Sequence, residues 1–437
     1  MAVSVIIIGG LTPSLIDLWL SELPFFNSLK RSQKLNPLLS TIVPYEAPAQ
    51  TTLFTGKEQG EHGVFSMWKM RGPNVNAIPD VIDSRELPVP YIWQDPDFGD
   101  RRALVMNIIG SHPPANINGE IITYPFYPTT NLSSPRYLMA ELSKQGSPVA
   151  HDVSIFMRPD TNRESFIEGV IQTDRSRLQA YLKLSRRGTD FATINFTSID
   201  RLSHFYWHET SSNSGIALKD MALLKAYKFI DKALLKIVEA EQDTQSIFIL
   251  GDVAFGPLKK FVSVDEILEE AGFYKTGENR CPDPRLTLAF EAPQGSHGIN
   301  LSCKSRFQDG LISPTDFLSV KQSVRQALTE AINPATGNPY FLSCQSADEI
   351  YSGQSLSFAP DLVVIPYDEE YSPKGHGHWA NHVSRDLQSG WHRRKTICAQ
   401  LNIDSVKTED EFNLLDIYSS IRAELGMSPH VQISEPN

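Results

Sequence analysis

The feature that most restricts the fold is a series of short apolar runs, rich in β-branched residues and bounded by turn residues. Val3–Ile8 is apolar except for Ser4, and Gly9-Gly10 follows it. A run without polar alternation suits a strand covered on both faces of a parallel sheet. Residues 103–109, 191–196, 246–250, 361–365 and 396–399 repeat the pattern, and good helical periodicity lies between them at 218–240 and 317–332. After the first run, Thr12-Pro13 opens a helix through Leu15, Leu18 and Trp19. The predicted architecture is α/β: a mixed, mostly parallel central sheet with helices on both faces. In such sheets ligands collect at the carboxyl ends of the strands. Residues 57–100 and 110–165 carry much Pro, Gly and Asn and little periodicity. They are expected to form an irregular cap, and residues 1–437 a single domain with a cap or insert at roughly 110–185.

A chain of 437 residues with 41% hydrophobic content can bury a large core without covalent staples. Its net charge of -11 argues against nucleic acid as a partner, because such binding needs clustered Lys and Arg. A small anionic substrate stays open, since a bound metal can set the local field. Cys281, Cys303, Cys344 and Cys398 are widely spaced and read as reduced thiols. The N-terminus lacks a basic segment, and no run approaches the ~20 apolar residues of a membrane span. The expectation is a cytoplasmic protein without membrane contact; nothing in the sequence specifies an oligomeric state.

Several segments carry candidate chemistry. In Thr197-Ser-Ile-Asp-Arg-Leu-Ser-His-Phe-Tyr-Trp-His208, a strand end is followed by Asp200 and His204 four residues apart. On a helix they share a face and can converge on one cation, with His208 a turn further on. Asp200 as a helix cap beside two surface histidines is the other reading. Asp252 follows the 246–250 run at the edge where ligands sit. Gly375-His-Gly-His-Trp379 brings His376 and His378 together, and Gly390-Trp-His-Arg-Arg394 holds His392 and Arg393. Thr51–Lys57 lacks the upstream Gly of a phosphate-binding loop, which rejects that reading.

Taken in order, these segments resemble the type I phosphodiesterase/nucleotide pyrophosphatase branch of the alkaline phosphatase superfamily. The resemblance runs through Ile6–Pro13, Thr41–Lys57 with Glu61–Phe65, Ile199–Trp207, Gly251–Lys260, Ala359–Val364 and Ser389–Arg394. It implies an alkaline-phosphatase-like sandwich and two divalent metals, usually zinc, around a Thr or Ser nucleophile. Carried over by position, one metal site would use Asp200, His204 and His392, with His297 a rival for the third place. At the other site, Gly9 stands where the family has Asp, Glu46 falls on the nucleophile position, and Val253 replaces His; Asp252 alone remains.

The resemblance therefore implies one divalent metal, zinc with manganese or magnesium as alternatives, and catalytic roles for Glu46 and Asp252. Arg393, His376, His378 and His297 become candidate contacts for an anionic substrate. Three outcomes remain open at this stage. The chain is a mononuclear metal enzyme with Glu46 as general base, acting on a phosphate or sulfate ester; or Glu46 and Asp252 rebuild a second cation site; or it is a non-catalytic relative that binds a ligand or a protein.

Overall fold

The structure, a computed structural model, describes residues 2–70, 72–151, 162–241, 245–374, 387–403 and 411–429. The chain divides into two compact units. One comprises residues 1–57, 83–255 and 392–437, the other residues 58–82 and 256–391.

The first unit is built on nine strands. Across the sheet their order is Phe412–Asn413, Leu35–Leu39, Lys395–Leu401, Ser246–Leu250, Val3–Ile8, Phe191–Phe196, Ala103–Met106, Gly119–Ile122 and Ser133–Ser134. The five from Ser246–Leu250 to Gly119–Ile122 are mutually parallel. Lys395–Leu401 runs antiparallel to both its neighbours, and Ser133–Ser134 to its own.

The first strand shows why its sequence is apolar throughout. Ile6 and Ile8 enter one core, shared with the helices Arg163–Leu184, Ser198–Tyr206 and Ala222–Ala240. Val3, Val5 and Ile7 enter another, shared with the helices Glu46–Thr55 and Leu414–Glu424. Side chains alternate along a strand, so a sheet covered on both faces demands apolar residues of both parities. The exception, Ser4, is buried but satisfied: its hydroxyl donates to Glu241 Oε1 at 2.6 Å and accepts from Gln245 Nε2 at 2.7 Å.

The Glu46–Thr55 helix is buried on every side, so its sequence has no polar stripe. Its Thr51 and Thr55 hydroxyls donate to the carbonyls of Ala47 and Thr51, at 2.8 and 2.7 Å. Polar groups on a buried helix thus find partners within it. The helix stops at Gly56, whose φ of 67° is the left-handed value that favours glycine.

The second unit holds a four-stranded antiparallel sheet, in the order Ala289–Glu291, Gly298–Leu301, Leu362–Pro366 and Phe341–Ser346. The helices Val264–Glu270 and Phe317–Glu330 cover its core around Ile299, Leu301, Leu362 and Val364. The 361–365 run, expected in the central sheet, is here instead. An apolar run reports burial on two faces but not which sheet supplies the partners. Within 110–185, Gly119–Ile122 and Ser133–Ser134 join the central sheet, and Arg163–Leu184 is a helix on its face. No helix among the described residues is long and apolar enough to cross a membrane.

Candidate metal centre

Strand direction explains how distant residues meet. Phe191–Phe196 delivers Thr197 and the Ser198–Tyr206 helix at its carboxyl end, and Ser246–Leu250 delivers Asp252 at the same edge. Lys395–Leu401 runs the other way, with Cys398 opposite Leu250, so its beginning reaches that edge too, and the short strand Gly390–Arg393 just before it carries His392 there. Leu35–Leu39 is antiparallel to Lys395–Leu401 and leads back to the edge before Glu46. There the Ser40 hydroxyl donates to the carbonyl of Asp252.

The start of the Ser198–Tyr206 helix is pinned from behind. Asp174 Oδ2 accepts the amides of Thr197 at 3.0 Å and Ser198 at 2.7 Å. The Arg177 guanidinium pairs with Asp174 at 2.9 Å and donates to the Thr197 hydroxyl at 2.7 Å, both charged side chains being fully buried. Amides that a helix start would leave unsatisfied are thereby used to fix it. Asp200 and His204 then project from one face.

Asp200, His204 and His392 are all buried, and one ligand atom from each lies within 4.8 Å of the others. His392 Nε2 is 3.2 Å from Asp200 Oδ1, and His204 Nε2 is 3.7 Å from Asp200 Oδ2. The Phe255 ring packs edge-on to both imidazoles, with centroids 4.9 Å from each. One carboxylate and two imidazoles converging in this way suit a divalent cation of borderline softness.

Glu46, the first residue of its helix, stands beside this group: Oε2 is 3.8 Å from His392 Nε2. The Arg201 guanidinium contacts Asp200 Oδ2, lies 3.4 Å from Glu46 Oε1 and donates to Tyr124 Oη at 2.9 Å. Asp252 is held by Gln50, whose Nε2 donates to Oδ2 at 2.6 Å while its Oε1 accepts the amide of Ile109 at 2.7 Å. A Cβ on Gly9 would sit 3.3 Å from Asp200 Cβ and 3.9 Å from Asp252 Oδ1, so this glycine faces the same group.

The charges here are strongly coupled to burial. Burial raises the Glu46 carboxyl above the usual range and the Asp200 charge adds to it, against His392 and Arg201. Asp252 is pushed up to about 7, by burial first and by the Glu46 charge second. Burial opposes ionisation of Asp200 also, but Arg201, His204 and His392 outweigh it and hold that carboxyl below its ordinary value. For His392, burial favours the neutral ring, while Glu46 and Asp200 together raise its pKa.

The other expected residues are placed as follows. His297 belongs to the second unit, on a backbone with φ of 50°, and is not a member of the converging group. Arg393 is half-buried, and its Nη1 donates to the carbonyl of His392 at 2.9 Å. His208 is exposed on the turn after the helix. His376 and His378 lie outside the described residues. Arg201, Tyr124, Gln50 and the Asp174–Arg177 pair were not singled out from sequence. An Asp and an Arg three apart in a long helix read as a solvated pair, and only the tertiary structure shows them buried.

The chain matches the family model for type I phosphodiesterase/nucleotide pyrophosphatase over residues 3–393. Among solved structures it is similar to phosphonoacetate hydrolase from Sinorhizobium meliloti 1021 in complex with phosphonoformate, with a TM-score of 0.62 and 13% identity over 97% of this chain and 96% of that one. It is similar to human ectonucleotide pyrophosphatase/phosphodiesterase 5, with a TM-score of 0.56 and 12% identity over 99% and 96% of the two chains. The alkaline phosphatase PafA gives a TM-score of 0.56 and 12% identity over 98% and 96%. No curated protein matches this chain significantly in sequence. At these identities the likeness establishes the fold, which is alkaline-phosphatase-like.

Proposed function

The chain belongs to the type I phosphodiesterase/nucleotide pyrophosphatase family, and from that premise we propose that it is a metal-dependent hydrolase of a small phosphorus- or sulfur-oxyanion ester. In this reading one divalent ion is held by Asp200, His204 and His392, and Glu46 acts as general base in place of a nucleophilic hydroxyl. The observation that carries it is the convergence of those three buried side chains with Glu46 Oε2 3.8 Å from His392.

The donor set supports zinc, since two imidazoles and one carboxylate leave a position open, whereas magnesium prefers oxygen ligands throughout. When bound, such an ion supplies Lewis-acid stabilisation to charge developing on a substrate oxygen. The remaining chemistry falls to the chain. Glu46 has no hydroxyl with which to attack phosphorus, and a carboxylate approaching a phosphodiester meets like charge. Its raised pKa suits it to take a proton from water instead. Water oxygen then forms the new bond to phosphorus or sulfur, the bond to the leaving oxygen breaks, and the water proton resides on Glu46. The Arg201 guanidinium, 3.4 Å from Glu46 Oε1, keeps that carboxylate oriented. The phosphonoformate bound to the Sinorhizobium structure, a property of that neighbour, supports a small phosphorus oxyanion and not the ester bond itself.

The test is hydrolysis of phosphodiester, phosphomonoester and sulfate ester substrates by chain purified without chelator. Glu46→Gln should lower kcat about 10²–10⁴-fold with little change in bound metal. His204→Ala should lose both metal and turnover. Full activity in Glu46→Gln would remove the base assignment. Hydrolysis that arises only on Glu46→Thr would show that the native role lies elsewhere.

A further inference from the structure

Beside the three candidate ligands lie two more buried carboxylates, those of Glu46 and Asp252. Three carboxylates enclosed together need compensating charge, because an unpaired buried ion costs several kcal/mol. A single divalent ion leaves one negative charge uncompensated when all three are ionised. The chain carries a cation at that place. Arg201 is buried, and its Nη1 bridges Asp200 Oδ2 and Glu46 Oε1 while Nη2 donates to Tyr124 Oη. A guanidinium is permanently charged and its planar fork can engage two carboxylates at once.

The room for a second metal ion is altered on its other side as well. Gly9 offers no ligand, although its Cβ position faces both Asp200 and Asp252. Asp252 Oδ2 is engaged by Gln50 and Oδ1 by the amide of Val253 at 2.8 Å. An ion entering between Glu46 and Asp200 would have to displace the Arg201 guanidinium from both.

We infer that Arg201 is a built-in cation that takes the electrostatic place of a second metal ion, so that the centre holds one divalent ion and excludes another. The same contact fixes Asp200: one oxygen faces the guanidinium, and the other faces His392. Arg201 is thus a positioning residue for the metal ligand and for Glu46. This rests on the metal reading above but not on turnover.

Metal counting tests it directly. The full-length chain is dialysed against Zn²⁺ alone or Mn²⁺ alone, and bound ions are counted by mass spectrometry. Wild type should hold about one ion per chain, with no second ion at millimolar Mn²⁺. Arg201→Met should hold about two, Arg201→Lys about one, and Arg201→Met with Glu46→Gln about one again. A second ion in wild type, or a single ion in folded Arg201→Met with unchanged affinity, would overturn the inference and leave the metal site standing. A wild-type chain that binds no ion would overturn both.

Discussion

Removing the Asp174 carboxylate should destabilise the first unit more than any change at the candidate metal ligands. The side chain is fully buried, faces a fully buried Arg177, and accepts the amides of Thr197 and Ser198. Burial raises its pKa, while Arg177 and those amides pull it down, and the net is upward. These interactions therefore do not fully offset the desolvation of the carboxylate, and the worth of the pair shows only when one partner is taken away. In Asp174→Ala the guanidinium is left unpaired, which costs about 3–5 kcal/mol. Two amides also lose their acceptor, at about 1–3 kcal/mol each if no water replaces it. Asp174→Asn keeps an acceptor for the amides and should recover that second part only. In a unit of this size such losses lower Tm by on the order of 10 °C. Thermal unfolding followed by circular dichroism measures the total, and hydrogen exchange at Thr197 and Ser198 reads the local part. A Tm drop below ~2 °C in Asp174→Ala, with protection at those amides intact, would refute the reasoning.

Gly56→Ala and Gly9→Ala should differ sharply although each glycine ends an element of the same unit. A Cβ on Gly56 would lie 2.0 Å from Tyr418 Cε1, on a backbone with φ of 67°, so strain and overpacking together should cost about 2–5 kcal/mol. At Gly9 the nearest atom is 3.3 Å away and φ is ordinary, so urea unfolding should show a loss of no more than ~1 kcal/mol. In the second unit, Asp265 is pushed up to about 7, by burial first and by the charges of Glu266 and Glu269, against the Glu291 amide that it accepts at 2.7 Å. Its folded pKa exceeds the unfolded value, so between about pH 4 and 7 the native state binds more protons and stability falls as pH rises. The ceiling is ~4 kcal/mol and about half of that is expected, the side chain being only partly enclosed. Asp265→Asn should flatten that slope in urea titrations, and an unchanged slope would assign it to other groups.

Much of the fold was legible because strands covered on both faces leave no choice of residue. Val3–Ile8, Phe191–Phe196 and Ser246–Leu250 stand out as apolar runs, and their direction follows from the helices between them. The 361–365 run met the same criterion and belongs to another sheet, since burial alone does not name a strand's neighbours. Asp200 and His204 were visible as an i, i+4 pair. His392 was not visible by spacing, because its place depends on one antiparallel strand entering a parallel sheet. Only the collinear resemblance linked it to the other two.

What remained hidden at the centre is Arg201, and the reason is geometric. Adjacent residues on a helix diverge by about 100°, so the rule for reading helix faces places Asp200 and Arg201 on different sides. That rule holds for short side chains. An arginine in the first turns of a helix is long enough to fold back across the helix start, and the Tyr124 hydroxyl holds it there. On the family resemblance, Gly9 and Val253 stand where ligands are expected and Glu46 where a hydroxyl is expected, a pattern that in sequence alone reads as simple loss. In three dimensions a guanidinium from the helix that carries Asp200 and His204 lies against Glu46. A centre that had decayed would leave Glu46 and Asp252 as buried, uncompensated acids; here Glu46 has a cation at 3.4 Å, and Asp252 has Gln50 and a backbone amide. On the inference above, Glu46 and Arg201 thus form one electrostatic unit, in which each depends on the other. The effects of Arg201→Met and Glu46→Gln on bound metal should accordingly be non-additive: the first alone gains an ion, the second alone changes little, and the double variant returns to about one.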